Sequence, residues 1–316
     1  MSNKNWAVAA AFVNAVSVCA LSLPAHAVEN GGSHAGTGAE SFYAGVLPPP
    51  GFYALSYNML YSASRLNDNA GNKAVSSFSV TQFASVNRFV YVSNLQFLGA
   101  SVGSQVVLPL VNVDVNYMGM KDSKISVGDI VFTPVMLGWH SPEWHFVGAV
   151  DLFSPTGSYD RRALANTGTN YWSAAPALAV SYLPASGLEV SAKAQYYFNA
   201  ANTNAVINPS SNVNGAHYRS GQEFTTDVLI AQHWGPWTAG VTGYAYYQVT
   251  SDTISDGPSN AALQSAGGYK GRGYGIGPAV RYDVGALSFA LQAQHEFAVR
   301  NRPQGERFWF KASYKF

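Results

Sequence analysis

The chain has 316 residues, of which 47% are hydrophobic, 14% aromatic and 11% charged, with 18 lysines and arginines against 17 aspartates and glutamates. That aromatic content excludes a disordered chain, and the near-balanced charge leaves no electrostatic footprint for nucleic acid. A mean hydropathy of -0.01 excludes a bundle of membrane helices, each of which needs about 20 consecutive apolar residues.

One such apolar stretch exists, at the start. Lys4 precedes the run Trp6 to Leu23, which ends on Ala25-His26-Ala27. This is the layout of a secretory signal peptide over residues 1–27, with Val28 as the first mature residue. An uncleaved anchor helix would have a similar length, but small residues at both cleavage-determining positions favour removal. A lipoprotein reading would use Cys19, and Val18 stands where a small residue is required. Cleavage removes Cys19, the sole cysteine, and with it any disulfide or thiol chemistry. It also removes Lys4, which brings basic and acidic residues into balance.

Residues 28–51 come next, with Glu29, His34 and Glu40 ahead of a stiff Pro48-Pro49-Pro50. From there the chain alternates at period two. In 188–199, Leu188, Val190, Ala192, Ala194, Tyr196 and Phe198 share one face, and Glu189, Ser191, Lys193, Gln195, Tyr197 and Asn199 share the other. The same pattern sets Leu287, Phe289 and Leu291 against Ser288, Gln292 and Gln294, and Phe308, Phe310 and Phe316 against Trp309 and Lys311. Twelve segments qualify: 52–65, 77–92, 95–113, 127–139, 143–154, 170–183, 188–199, 218–234, 237–250, 272–283, 286–300 and 305–316.

The links between them alternate in length. Tight ones fall at Ser93-Asn94, His140 to Pro142, Pro184 to Gly187, Gly235-Pro236 and Val284-Gly285. Longer polar ones fall near 66–76, 114–126, 155–169, 200–217 and 251–271, with a shorter one at Asn301 to Gln304. Short turns on one side and long loops on the other are the asymmetry of outer-membrane barrels, and an even strand number leaves both termini on the periplasmic side. A soluble β-sandwich would cover its outer face with charge. Here the polar face holds mostly Ser, Thr, Gln, Asn and Tyr, which suits a wet lumen, while the apolar face suits lipid. The expected fold is therefore all-β: a 12-stranded antiparallel transmembrane β-barrel over residues 52–316. Tyr53, Tyr57, Tyr61, Trp139, Trp144, Trp234, Trp237, Tyr244, Tyr246 and Tyr247 sit near strand ends, where an aromatic girdle belongs. The terminal Phe316 has the form of an insertion signal for the outer-membrane assembly machinery.

Twelve strands enclose more than the filled lumen of eight and less than the open channel of 16 to 18. Residues 28–51 are long enough to enter it, so they are expected to form an N-terminal periplasmic segment or a lumen plug. Lys193, Glu223, Asp227, Arg281, Glu296, Arg307 and Lys311 are inward-facing charges. Pairing neighbours across the links puts Lys193 opposite Glu223 with Asp227 below, and Glu296 opposite Trp309 and diagonal to Lys311. These charges either satisfy one another or form a constriction that orients a carboxylate or phenolate. Tyr197, Tyr244, Tyr246 and Trp309 are expected to stack on an aromatic permeant or to serve in the girdle.

No GxSxG, HExxH or P-loop occurs, and seven scattered histidines make no metal site, so no catalytic residue, metal or cofactor is expected. His140-Ser141 lies in a periplasmic turn, and His217 and Ser220 lack an identifiable third partner. Asp68, Asn69 and Asn72 form a turn rather than a calcium loop, since its glutamate is missing.

Several runs carry a resemblance: ENGGSH from Glu29, GAESFYAG from Gly38, LPPPGFY from Leu47, RLNDNAGNK from Arg65, LGWH from Leu137 and PTGSYD from Pro155. NYWSAAPALAVSYLP from Asn170, SGQEF from Ser220 and NRPQGERFWFK from Asn301 extend it over nearly the whole mature chain. Together they resemble the bacterial family named for the MetA pathway of phenol degradation. The resemblance implies an outer-membrane, transporter-like protein beside aromatic catabolism, and no catalytic residue to carry over. The resulting expectation is passive uptake of small hydrophobic or aromatic compounds through a barrel whose outer face meets outer-membrane lipids. The alternatives are a lipid-acting outer-membrane hydrolase and a structural or loop-binding protein without transport.

Overall fold

The computed structural model describes residues 32–205 and 217–316. The expected signal peptide and Glu29 lie outside the described residues. Twelve long strands form one antiparallel sheet: β1 (Gly51–Leu66), β2 (Phe78–Phe97), β3 (Ala100–Tyr117), β5 (Val131–His140), β6 (Trp144–Phe153) and β7 (Ser173–Tyr182), then β8 (Leu188–Asn199), β10 (Glu223–Trp234), β11 (Trp237–Gln248), β13 (Arg272–Val284), β14 (Leu287–Arg300) and β15 (Pro303–Lys315). Each pairs with its sequence neighbour in this series, and β1 also pairs with β15 from Tyr53↔Lys315 to Leu66↔Pro303. The twelve long strands close on themselves, so none of them is an edge strand. A bilayer offers backbone groups no partner, so closure is what lets strands span it.

The smaller elements decorate the end with the long links. β4 (Met120–Val127) folds back on β3 and prolongs that hairpin. β9 (Tyr218–Arg219) pairs with β12 (Thr253–Ile254). Helix α1 (Gly257–Ser265) starts where the Asp256 side chain accepts from the Ser259 amide at 2.9 Å. The opposite, turn end carries the short connections.

Two links differ from expectation. The expected turn at Ser93-Asn94 is a bulge, where the β2–β3 register shifts between Val92 and Gln96. The chain reverses later, at Leu98-Gly99, with φ of 51° and 75°. The expected loop 114–126 is largely strand, reversing at Met118-Gly119 with φ of 51° and 90°. Both φ values are positive in each pair, as a two-residue type I′ hairpin turn demands, and Gly supplies the second without steric cost.

The alternation sorts the faces as the strand period requires. Val190, Leu287, Phe289 and Phe310 lie exposed on the outer wall, as do Trp144, Trp234 and Trp237 near the turn end. Tyr53 and Tyr61 are the correction: both are buried inside, and Tyr57 lines the lumen with them. On β1 the outward residues are their neighbours Phe52 and Leu60. Tyrosine fits either medium, so residue type alone misassigned the phase.

Candidate functional site

Residues 32–50 run down the inside of the barrel from the loop end to the turn end. At the top, Ser33 donates to Glu223, while His34 pairs through Nε2 with Asp129 Oδ2 at 2.9 Å and through Nδ1 with Ser173 Oγ at 2.8 Å. In the middle, the Gly38 and Glu40 amides donate to Asp227 Oδ1 and Oδ2 at 2.8 and 2.9 Å. Arg307 donates to the Thr37 carbonyl and hydroxyl, and Lys311 Nζ to the Ala39 carbonyl at 2.5 Å. Lower down, the Tyr43 amide reaches Glu189 Oε1 at 2.5 Å and the Gly45 amide reaches Ser181 Oγ at 2.9 Å. A Cβ on Gly45 would stand 2.4 Å from the Ser181 backbone nitrogen, so this close approach needs glycine. Leu47 then packs with Tyr53, Val90, Val92 and Met136, and Pro48, Pro49 and Pro50 lead into β1, where the Tyr53 hydroxyl donates to the Pro49 carbonyl at 2.7 Å.

The wall charges gather around this segment, with two corrections of register. Lys193 stands opposite Asp227, and Glu223 opposite Tyr197. The reason is that β10 begins only at Glu223, since Ser220 to Gln222 belong to the loop. Likewise Gln292, not Glu296, faces Trp309, and Lys311 faces Ala290. β15 starts at Pro303 rather than after Gln304, which moves the hairpin centre toward β14. Glu296 instead meets Arg307 at 3.3 Å and accepts from the Tyr61 and Tyr244 hydroxyls. Arg281 pairs with Asp283 at 2.7 Å, with its guanidinium 4.7 Å from the Tyr43 ring centroid. Tyr197, Tyr244, Tyr246 and Trp309 are all buried on the inner face, and Arg302 lies 3.9 Å over the Tyr246 ring.

Below this belt a cavity of 490 Å³ opens toward the turn end. Its roof holds Glu40, Arg88, Lys193 and Lys311, and its sides are largely apolar, with Leu55, Val90, Met136, Val147 and Ala149. A volume of several hundred cubic ångströms with apolar walls and few convergent polar groups is the form of a small-molecule site. Glu40 Oε1 lies 2.9 Å from Arg88 Nη1 and 3.7 Å from Lys193 Nζ.

Arg88, Asp151, Glu189 and Asp129 were not singled out by sequence. Arg88 and Asp151 each had a signal, being the lone Asp, Glu, Lys or Arg of an otherwise apolar and neutral strand. Such a charge in a membrane barrel belongs in the lumen, because the lipid face will not take it. Ser173, His34 and Asp129 form a chain that looks nucleophilic, but the Ser173 hydroxyl donates to Asn199 Oδ1 at 2.6 Å and all three side chains are buried. Here they fasten the segment. Among the described residues no group of His, Cys, Asp and Glu could hold a metal ion.

The loop-end cap has its own buried carboxylate. Asp252 accepts from the Gly221 amide at 2.7 Å, from Gln248 Nε2 at 2.6 Å and from the Tyr218 hydroxyl. Burial pushes its pKa up to about 7 despite these donors. An acid whose pKa is raised by folding binds its proton more tightly when folded. Its contribution is therefore complete below the unfolded value and is lost as pH rises through about 7. Intrinsic-rate-corrected exchange protection of the Gly221 amide is expected to be higher at pH 5 than at pH 8, and Asp252→Asn to flatten the difference. Protection that rises with pH in the parent would contradict this.

Comparison with known proteins matches this architecture. No curated protein matches the chain. An outer-membrane channel from Pseudomonas putida F1 superposes with a TM-score of 0.73 at 16% identity, covering 87% of this chain and 98% of that one. The β domain of the Bordetella autotransporter BrkA (11% identity, 84% and 99% covered) and a TodX monoaromatic hydrocarbon channel variant (8% identity, 85% and 91% covered) both score 0.46. The fold is that of an outer-membrane barrel. The sequence pattern described as "Putative MetA-pathway of phenol degradation" matches residues 63–312, most of the chain, and this protein belongs to that family.

Proposed function

We propose that this chain is a passive outer-membrane uptake channel for small hydrophobic or aromatic compounds, closed by residues 32–50 acting as a plug. The observation that carries this reading is the apolar 490 Å³ cavity, which opens at the turn end and is roofed by the plug. Membership of a family named for phenol degradation supports the substrate class. In this reading the signal peptide is removed after Ala27, the short turns and both termini face the periplasm, and Phe316 serves recognition by the assembly machinery. The buried aromatics Tyr197, Tyr244, Tyr246 and Trp309 line the upper path once the plug moves, offering ring faces to the permeant.

A deletion strain is expected to grow more slowly than its parent on limiting aromatic carbon and equally well on acetate. Equal defects on both sources, or none, would remove the case for specific uptake.

A further inference from the structure

Glu40 occupies a site that the barrel wall builds without it. Arg88 on β2, Lys193 on β8 and Lys311 on β15 reach this level from separate parts of the wall. The wall acids at the same level are Asp151 on β6 and Asp227 on β10. Asp151 lies 3.9 Å from Lys193 and is also held by Thr133 and Gln195. Asp227 is taken up by two plug amides. Three fixed cations against two fixed anions leave one positive charge unanswered by the wall. Its answer is Glu40, and Glu40 belongs to the plug. Arg281, also at the cavity, is already matched by Asp283.

Buried or half-buried charge is costly unless paired, so a plug that withdraws Glu40 leaves a vacancy for one monovalent anion. The space beneath specifies the rest of that anion. Lys311 Nζ sits 5.1 Å from the centroid of the Tyr57 ring, and the walls below are aliphatic. A ring fits between them, whereas an inorganic anion would leave those walls facing water. The pairing of cation and ring recurs along the inner face of β15 every four residues: Arg307 over Tyr61 at 5.1 Å, Lys311 over Tyr57, and Lys315 over Tyr53 at 6.0 Å. That spacing keeps all three on one side of the strand and marks a track from mid-lumen to the mouth.

We propose that the Arg88–Lys193–Lys311 cluster binds the carboxylate of an aromatic acid, and that Glu40 is the built-in stand-in which the incoming acid replaces. This rests on the channel reading for the route of entry and deepens it from aromatic compounds in general to aromatic carboxylates.

The test uses the full-length barrel in detergent micelles, with benzoate, its neutral isostere benzamide, and acetate as an anion without a ring. Benzoate is expected to bind saturably and at least tenfold more tightly than either control. Glu40→Gln, which removes the competing carboxylate, is expected to tighten benzoate about tenfold and leave benzamide unchanged. Adding Lys311→Gln is expected to reverse the gain. Heat-modifiable migration on gels confirms that each variant remains a folded barrel. Failure of benzoate to bind the Glu40→Gln protein, or equal binding of benzoate and benzamide, overturns the proposal. Flux of both compounds through proteoliposomes separates the two claims. Equal flux of benzoate and benzamide with no benzoate binding keeps the channel and removes the site. Cation-dependent benzoate binding with no flux of either compound keeps the site and removes the channel.

Discussion

Excision of residues 33–46 is expected to raise single-channel conductance about tenfold, because twelve strands leave a passage that their own side chains do not fill. The barrel should survive the excision. Its closure is carried by strand pairing, including the β1–β15 seam, and residues 33–46 contribute no strand to it. Among the groups the excised segment leaves behind are Asp227, Glu189, Arg307, Lys311, Arg88 and Glu223, on the inner wall of a lumen that water can enter. Water replaces the lost partners, so the loss of hydrogen bonds costs far less than it would in a dry core. Planar-bilayer recordings of the parent and the excised form make the comparison. Unchanged conductance in a barrel that still shows heat-modifiable migration would mean that this segment is not what closes the lumen.

A gentler version loosens one anchor. Asp227 accepts the Gly38 and Glu40 amides, one on each carboxylate oxygen, a two-point hold on this segment at mid-height. Asp227→Ala should therefore produce brief openings to the level of the excised form rather than a permanently open state.

What the sequence could and could not disclose follows from the range of the forces involved. Strand identity is local: the alternation in β8, β14 and β15 fixes which residue meets lipid, and Leu287, Phe289 and Phe310 stand outside as that alternation requires. Register is set by turns, and there residue type misled. Ser93-Asn94 has turn chemistry yet forms a bulge, whereas Leu98-Gly99 reverses the chain because the strands still pair beyond the bulge. The two displaced charge pairings share that origin, since each was drawn across a link whose strand boundary lay elsewhere. The site was legible only in its parts. Glu40 and Arg88 are 48 positions apart, and Lys193 and Lys311 lie farther along still, so only closure of the barrel brings them to one level. No periodicity announces that. The path of residues 32–50 was likewise hidden, because its glycines and carbonyls find their partners through space, at Asp227, Ser181 and Arg307.

Adjacent residues on β10 allow the lipid-facing assignment to be tried by a single substitution. Ile230 is 62% exposed and pairs with Val190 and Val241, both also exposed on the outer face. Its neighbour Leu229 is fully buried and packs inward with Ala231, Ala279 and Phe42 of the N-terminal segment. Arginine in place of Ile230 must place its guanidinium among acyl chains, at a cost of about 2–4 kcal/mol near the bilayer midplane. Ile230→Arg is thus expected to lower the free energy of unfolding in lipid vesicles, read from denaturant titration, by that amount. Leu229→Ala acts on the other medium. It removes contacts with Phe42, so it should raise open probability while the barrel keeps its free energy of unfolding to within about 1 kcal/mol, the removed side chain facing a lumen that water can refill. The reverse pattern, a tolerated arginine at Ile230 and a collapsed barrel at Leu229→Ala, would show that the wall has been turned inside out and that its aliphatic face packs a core instead of meeting lipid.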